Sequence, residues 1–342
     1  MNKKYKRKIL HRSSRRKKKY NNRILFPNIY KIILIVVLFS ILVLISNFKV
    51  NIEDIIEKEI NTLKFNQTRL NWDNLKSDLE FLSNKYRHLI KYEKIISEYS
   101  PIWIMWYQGI EKAPSIVKSC IQSVILNKAN HPVHIIDKYN LEKYIKLPSY
   151  INEKFNNGTF NVVHFSDIIR MGILTKYGGY WIDSTYFINT TITKVNTSFY
   201  SLKLKTCFPH RFIKCLWSGN FLAVPKNSFI ATYGYIAFLF YWKKYNSLID
   251  YFLIDYIIDI AYQNVPEFKN FIANLPLIKC DIFALVNSLN SVYNKDNFKC
   301  PFNKLTRKRN FNSFNTIGKT NYGYIIDNYK LNTENMTYNV MS

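Results

Sequence analysis

The 342-residue chain is long enough for one α/β domain of about 200 to 250 residues, with an N-terminal excess left over. Its formal net charge is +26, but residues 1–31 hold 13 of the 49 Lys and Arg and no acid, so the charge does not mark the body as a nucleic-acid binder. The five cysteines show no CxxC spacing and the histidines no cluster, which excludes a structural zinc site of the usual kind.

Beyond residue 31 the 36 remaining cations still exceed the 23 acids. That balance suits an anionic ligand such as a nucleotide diphosphate, and equally a Lys-rich surface. In an oxidising compartment Cys207 with Cys215 and Cys280 with Cys300 are candidate pairs, leaving Cys120 as a buried thiol on a predicted helix.

Residues 1–28 form a basic tail, and 29–48 an apolar run of 20 residues broken only by Lys31, Ser40, Ser46 and Asn47. That length spans a bilayer. A cleaved signal peptide is the rival reading, but its apolar region is normally shorter and followed by small residues, whereas Asn47, Phe48, Lys49 and Val50 stand here. Cations before the run and Glu53, Asp54, Glu57 and Glu59 after it place the N-terminus in the cytosol, as in a type II membrane protein. Sequons at Asn66, Asn157, Asn189, Asn196 and Asn335 all follow the run and agree with a lumenal body, although an Asn- and Thr-rich chain produces them by chance.

Segment 49–100 carries Leu63, Phe65, Leu70, Trp72, Leu75, Leu79, Phe81 and Leu82 at helical spacing and is expected to be a helical stem. A domain over 101–320 follows, then a C-terminal tail, 321–342. Ile102 to Trp106 reads as a strand. Pro114 suits the first turn of a helix running to about Asn127, with Ile116, Val117, Cys120, Ile121, Val124 and Ile125 inward. Val133 to Ile136 reads as the next strand, so the unit is βαβ and the sheet parallel, of nucleotide-binding type.

The stretch 163–187 carries most of the functional signal. Ser166 is placed to N-cap a helix with Ile168, Ile169, Met171, Ile173 and Leu174 facing a core, and Gly178 to cap its C-terminus. Gly179 reverses the chain, and Tyr180, Trp181 and Ile182 form a buried strand. Asp183 falls at its carboxyl end, where ligands collect in open α/β sheets. Residues 228–263 are expected to be largely helical and to pack against the sheet, with Asp250, Asp255 and Asp259 toward solvent or the cleft. Three acids in so short a run disfavour a second membrane span.

Asp-Ile-Ile-Arg, the Gly-Gly pair and Trp-Ile-Asp-Ser-Thr resemble the capsular polysaccharide synthesis protein family, related to the DXD-type glycosyltransferases of family 32. PIWIMWYQG, WSGNFLAVPKN, the run YWKKYNSLIDYFLIDYIIDIAYQN and KLTRK resemble further family blocks in the same order, over about 100 to 320. The resemblance implies a GT-A-like, Rossmann-like nucleotide-sugar-binding domain and a retaining sugar transfer from a nucleotide-diphosphate donor to a glycan or glycoconjugate. It implies that Asp183 holds a divalent cation, Mn2+ or Mg2+, on the leaving phosphate. The motif's second acid is replaced by Thr185, whose hydroxyl is a weaker ligand.

By the same resemblance Asp167 and Arg170, on one helical face, bind the donor's hydroxyls and its sugar or phosphate oxygens, while Trp106 stacks on the base and Trp181 lines the donor pocket. Each has a plain structural alternative: a strand-end Asp capping a turn, a surface ion pair, a core aromatic. Ser218, Asn220, Lys304, Thr306 and Lys308 are further candidates for the diphosphate or acceptor. Asp255 is a candidate to orient an acceptor hydroxyl, with a solvent-facing helix acid as the alternative, and His164 is a candidate helix cap. The implied partners are a sugar nucleotide, a glycan acceptor and a membrane, with no nucleic acid, and the implied setting is a Golgi or other secretory membrane. The rival class is a membrane-anchored protein that kept the fold and lost catalysis, for which Thr185 is the positive sign.

Overall fold

The computed structural model describes residues 52–63, 69–205 and 213–332. The chain divides into two units, Met1–Ile55 and Ile56–Ser342, and the first contributes only the opening turn of a helix to the described residues. The basic tail, the apolar run 29–48, Asn66, Asn335, Cys207 and His210 lie outside them. Among the described residues no helix is long and apolar enough to cross a membrane.

Helices α1 (Ile52–Thr62) and α2 (Trp72–Tyr86) come first. The Asn71 side chain accepts the Asn74 N–H at 2.9 Å and starts α2, which buries Leu75, Leu79 and Leu82 along one stripe. Then follow β1 (Ile102–Met105), α3 (Ser115–Leu126) and β2 (Val133–Ile136). β1 and β2 are parallel, from Ile102 opposite Val133 to Met105 opposite Ile136, as a βαβ unit requires. The short helices α4 (Leu141–Tyr144) and α5 (Ser149–Asn156) lead to α6 (Val162–Tyr177) and β3 (Gly179–Ile182). β3 lies parallel to β1 on the side away from β2.

The chain continues through β4 (Tyr186–Ile188), β5 (Tyr200–Ser201), β6 (Lys203–Leu204) and β7 (Phe221–Val224). Next come α7 (Phe229–Lys244), α8 (Leu253–Asn264), α9 (Pro266–Ala273), β8 (Leu277–Ile278), α10 (Ala284–Asn287), β9 (Phe302–Lys304) and α11 (Asn321–Asn328). The main sheet has the order β2-β1-β3-β7-β5, with β7 antiparallel to β3 and to β5. This is a mixed α/β architecture with a parallel core and an antiparallel extension.

Strand residues alternate between two buried faces. Ile102, Ile104, Tyr180, Ile182, Phe221 and Ala223 share one core with Ile116, Val117, Cys120, Ile121 and Val124 of α3. Trp103 points the other way, stacks on His134 and donates its indole N–H to the Gly178 carbonyl at 2.8 Å. On α7 every residue from Phe229 to Trp242 is buried, so it shows no apolar stripe.

The structure corrects several expectations. α6 begins four residues before Ser166, because Asn161 supplies an equally good cap, its side chain accepting the Val163 N–H at 2.9 Å. Segment 228–263 is two helices, broken between Lys244 and Leu253, and α8 packs on α2, α7 and α9. The segment expected as a stem is helical, and α2 packs against α7 and α8. Cys280 and Cys300 form a disulfide and Cys120 is a free buried thiol. The other candidate pairing involves Cys207, outside the described residues. Asn189 donates its side-chain amide to the Phe298 carbonyl, so that sequon is engaged within the fold, whereas Asn157 and Asn196 are exposed.

The turn from α6 into β3 admits only glycine. Gly178 has φ 68° and closes the helix through its N–H to the Leu174 carbonyl. Gly179 has φ 97°, and a Cβ there would lie 2.1 Å from the Pro101 carbonyl oxygen, a backbone atom that is also the acceptor for the Tyr180 N–H. Gly179→Ala therefore combines a strained φ with a backbone clash. It is expected to cost more than about 2 kcal/mol in denaturant titration, and an unchanged midpoint contradicts this reading of the turn.

Candidate functional site

The order β2-β1-β3 means that the chain leaves β1 in one direction and returns past it, so the carboxyl ends of β1 and β3 flank a topological switch point. Trp106 follows β1 and Asp183 follows β3. A cleft of about 420 Å³ opens there, and Trp106, Asp167, Arg170, Trp181, Asp183 and Thr185 all line it. Ser218, Asn220, Asp255, Lys304, Thr306 and Lys308 line the same cleft. The structure thus brings together every residue singled out for the donor, the metal or the acceptor.

Asp183 is the hub. Its backbone N–H donates to the Asn220 carbonyl at 3.1 Å and its carbonyl accepts from Tyr186 at 3.0 Å, so the turn after β3 is pinned at both ends. Its Oδ1 accepts from the Arg170 guanidinium at 3.1 Å and from the Trp181 indole at 3.3 Å, and its Oδ2 from the Lys304 ammonium at 2.8 Å. Burial alone would push the Asp183 carboxyl up. The charges of Lys304 and Arg170, helped by hydrogen bonds from Lys304 and Trp181, outweigh it and hold the group below its usual range.

Arg170 in turn reaches Asp167 Oδ1 at 2.8 Å, and both side chains are 6% exposed. The pair is therefore buried, not the surface ion pair that is the plain alternative to donor binding. Arg170 also lies over the Trp181 ring, 5.3 Å from its centroid, and its Nε is buried without a partner. Trp181 is itself 1% exposed, so its contribution to the cleft is to hold Arg170 and Asp183. His164 sits in the first turn of α6 with Nδ1 3.8 Å from Asp167 Oδ2, and both ring nitrogens are buried without hydrogen bonds.

The far wall comes from β9 and the loop after it. β9 pairs with β4 so that Lys304 lies opposite Tyr186, its ammonium 4.7 Å from that ring's centroid, and the Leu305 N–H donates to the Thr185 carbonyl at 2.9 Å. Tyr186 donates its hydroxyl to Asn220 Oδ1 at 2.8 Å. Arg307, which the sequence reading passed over, sets its guanidinium 5.3 Å from the centroid of the Trp106 ring, whose indole N–H is buried and unpartnered. Asp255 does not face solvent. It is 5% exposed, and its Oδ1 accepts the Trp217 indole N–H at 3.1 Å.

A divalent cation at Asp183 is the expectation these side chains serve least well. Both Asp183 oxygens already accept from cationic groups, Asp167 is bound to Arg170, and the neighbouring motif position is the neutral Thr185. Among the described residues no cluster of three or more His, Cys, Asp or Glu is arranged to hold an ion. The donor set does not fit a divalent ion without displacing Lys304.

Comparison with known proteins agrees with the ordered motifs. The family model described as capsular polysaccharide synthesis protein matches residues 51–325. The chain belongs to that family. A curated relative, "O-glycosyltransferase braB" of Annulohypoxylon truncatum, is 30% identical over 97 residues, which relates this family member to glycosyltransferases. The match takes in 25% of this chain and 23% of that relative, so the chain spans about a quarter of its length. A solved structure, "PaToxG Glycosyltransferase", matches 58% of this chain and 81% of its own at 16% identity, with a TM-score of 0.32.

Because its folded pKa is depressed, Asp183 contributes stability that is complete above the unfolded carboxylate value of about 3.9 and is lost as pH falls through the lower folded value. Asp183→Asn leaves Lys304 and Arg170 without their shared anion and is expected to lower the melting temperature by several degrees at pH 7, roughly what a broken, largely buried pair costs. The gap to the unsubstituted chain should narrow at pH 3.5. Melting curves at both values check this, and an equal gap contradicts the ionic role.

Proposed function

We propose that the chain is a membrane-anchored glycosyltransferase moving a sugar from a nucleoside-diphosphate donor to a glycan or glycoconjugate. The observation that carries the reading is the Asp183 carboxylate at the switch point of a parallel sheet, fixed by Arg170 and Lys304 in a cleft walled by further cations. Nucleotides with their negative phosphates bind at such points. Family membership supports sugar transfer as the chemistry, and a GT-A-like assignment of the sheet follows from the same reading.

In the transfer, an acceptor hydroxyl oxygen bonds to the anomeric carbon while the bond from that carbon to the diphosphate oxygen breaks, its electron pair leaving with the phosphate. With retention, which the family resemblance implies, the hydroxyl proton passes to the departing phosphate oxygen. Asp167 and Arg170 suit the donor's hydroxyls and oxygens. Asp183 orients Arg170 and Lys304 toward the developing charge. Trp106 offers a face for the base, and a base stacked there displaces the Arg307 guanidinium. Asp255, across the cleft, suits an acceptor hydroxyl.

The membrane setting rests on the apolar run 29–48 and the charge asymmetry about it, which point to a type II anchor with the body on the lumenal side. The Cys280–Cys300 disulfide supports an oxidising compartment for that body, as a Golgi or other secretory lumen provides.

The test is a screen of sugar nucleotides for donor hydrolysis and transfer. One donor is expected to turn over, and Asp183→Asn, assayed below its melting temperature, to slow it on the order of a hundredfold. Absence of turnover with every sugar nucleotide in the folded chain would sink the reading.

A further inference from the structure

We propose that the leaving diphosphate is neutralised by side-chain cations, Lys304 with Arg307 and Lys308, and that Asp183 serves as the anion that positions Lys304 rather than as a metal ligand. This rests on the glycosyltransferase reading and specifies how its leaving group is stabilised.

Lys304 is held from three directions. Its backbone N–H donates to the Ile282 carbonyl at 2.8 Å, its strand pairs with β4, and its ammonium lies 4.7 Å from the centroid of the Tyr186 ring. Its side chain is 16% exposed, so the ammonium is largely shielded but not sealed. An ammonium has three N–H donors, and the contact with Asp183 Oδ2 uses one of them, leaving donors for a second anion. A cation fixed this way costs little reorganisation when charge develops beside it, which is the condition for effective electrostatic stabilisation.

The charges in the cleft fit the same arrangement. Asp167 and Asp183 are matched by Arg170 and Lys304, while Arg307 and Lys308 add two cations on the same wall, both exposed. Against them Asp255 is the other carboxylate of the lining. A divalent ion entering at Asp183 would sit beside the Lys304 and Arg170 charges and repel both, whereas a diphosphate is attracted to all four cations. The Thr185 departure is consistent with this: an acid two residues after Asp183 would compete for the cation that the phosphate needs.

The test is binding of nucleoside diphosphates to the full chain in detergent by calorimetry, in EDTA and in Mn2+. The diphosphate that binds is expected to do so in EDTA within about threefold of its affinity in Mn2+, and Lys304→Ala to weaken it by about tenfold or more while Lys304→Arg retains most of it. Circular-dichroism melting checks that each variant folds. If Lys304→Ala does not fold, Arg307→Ala with Lys308→Ala in the exposed loop carries the test, and a loss of about threefold or more is expected. Binding that requires Mn2+, or that survives these substitutions in folded protein, overturns the proposal and leaves the glycosyltransferase reading standing. No binding of any nucleoside diphosphate in either condition overturns both.

Discussion

One carboxylate ties together three elements that are distant in the chain. Asp183, at the end of β3, bonds to Arg170 of α6, 13 residues earlier, and to Lys304 of β9, 121 residues later. Arg170 and Lys304 are 6% and 16% exposed; Arg170 keeps Asp167 as a second partner, whereas Lys304 would be a poorly solvated charge without Asp183. The geometry that makes this meeting possible is short-range. From Arg170 to the end of α6 the helix descends about 10 Å, and β3 returns about 13 Å in the opposite sense, so the two side chains finish at the same level. Only the Gly178–Gly179 turn, passing against the backbone at Pro101 and Lys226, closes that path in so few residues.

From this hub the cleft acquires its sign. Two acids and two bases cancel on its floor, and the wall that follows β9 adds Arg307 and Lys308. Trp106 stands at the matching end of β1 with Arg307 over its ring. Trp106 is half-buried and Arg307 exposed, and a cation–ring contact near the surface is worth about 0.5 to 1 kcal/mol, so in the proposed reading a nucleotide base replaces the guanidinium at little cost. Under the proposed reading these separate devices serve one class of ligand, a planar base carrying a charged diphosphate.

Much of this was legible in the sequence where local patterns determine structure. The apolar spacing of Ile116 to Val124 and the two flanking aliphatic runs gave the parallel pair β1 and β2, and the Gly-Gly pair before Tyr180–Ile182 placed Asp183 at a strand end. Less was legible where the structure depends on partners far along the chain. Lys304 meets Asp183 because two three-residue strands, β4 and β9, pair across more than a hundred residues, and strands so short carry no periodicity to read. Arg307 was missed because an exposed loop has no pattern that points it toward Trp106. Asp255 turns inward because Trp217 offers an indole N–H, a tertiary contact that overrides the usual solvent preference of an acid on a helix. Ser166 failed as a helix start because Asn161, one turn earlier, is a cap of equal quality and Phe165 is already buried.

The central claim is that Asp183 organises a cationic seat for a diphosphate at the carboxyl edge of the sheet. Its most direct test is an experimental structure of the chain bound to a nucleoside diphosphate. The account predicts the diphosphate within hydrogen-bond distance of the Lys304 ammonium, with Asp183 still bonded to both Lys304 and Arg170. A diphosphate bridged to Asp183 through a divalent ion, with Lys304 turned away, or a nucleotide bound outside the cleft between Trp106 and Lys304, would contradict it.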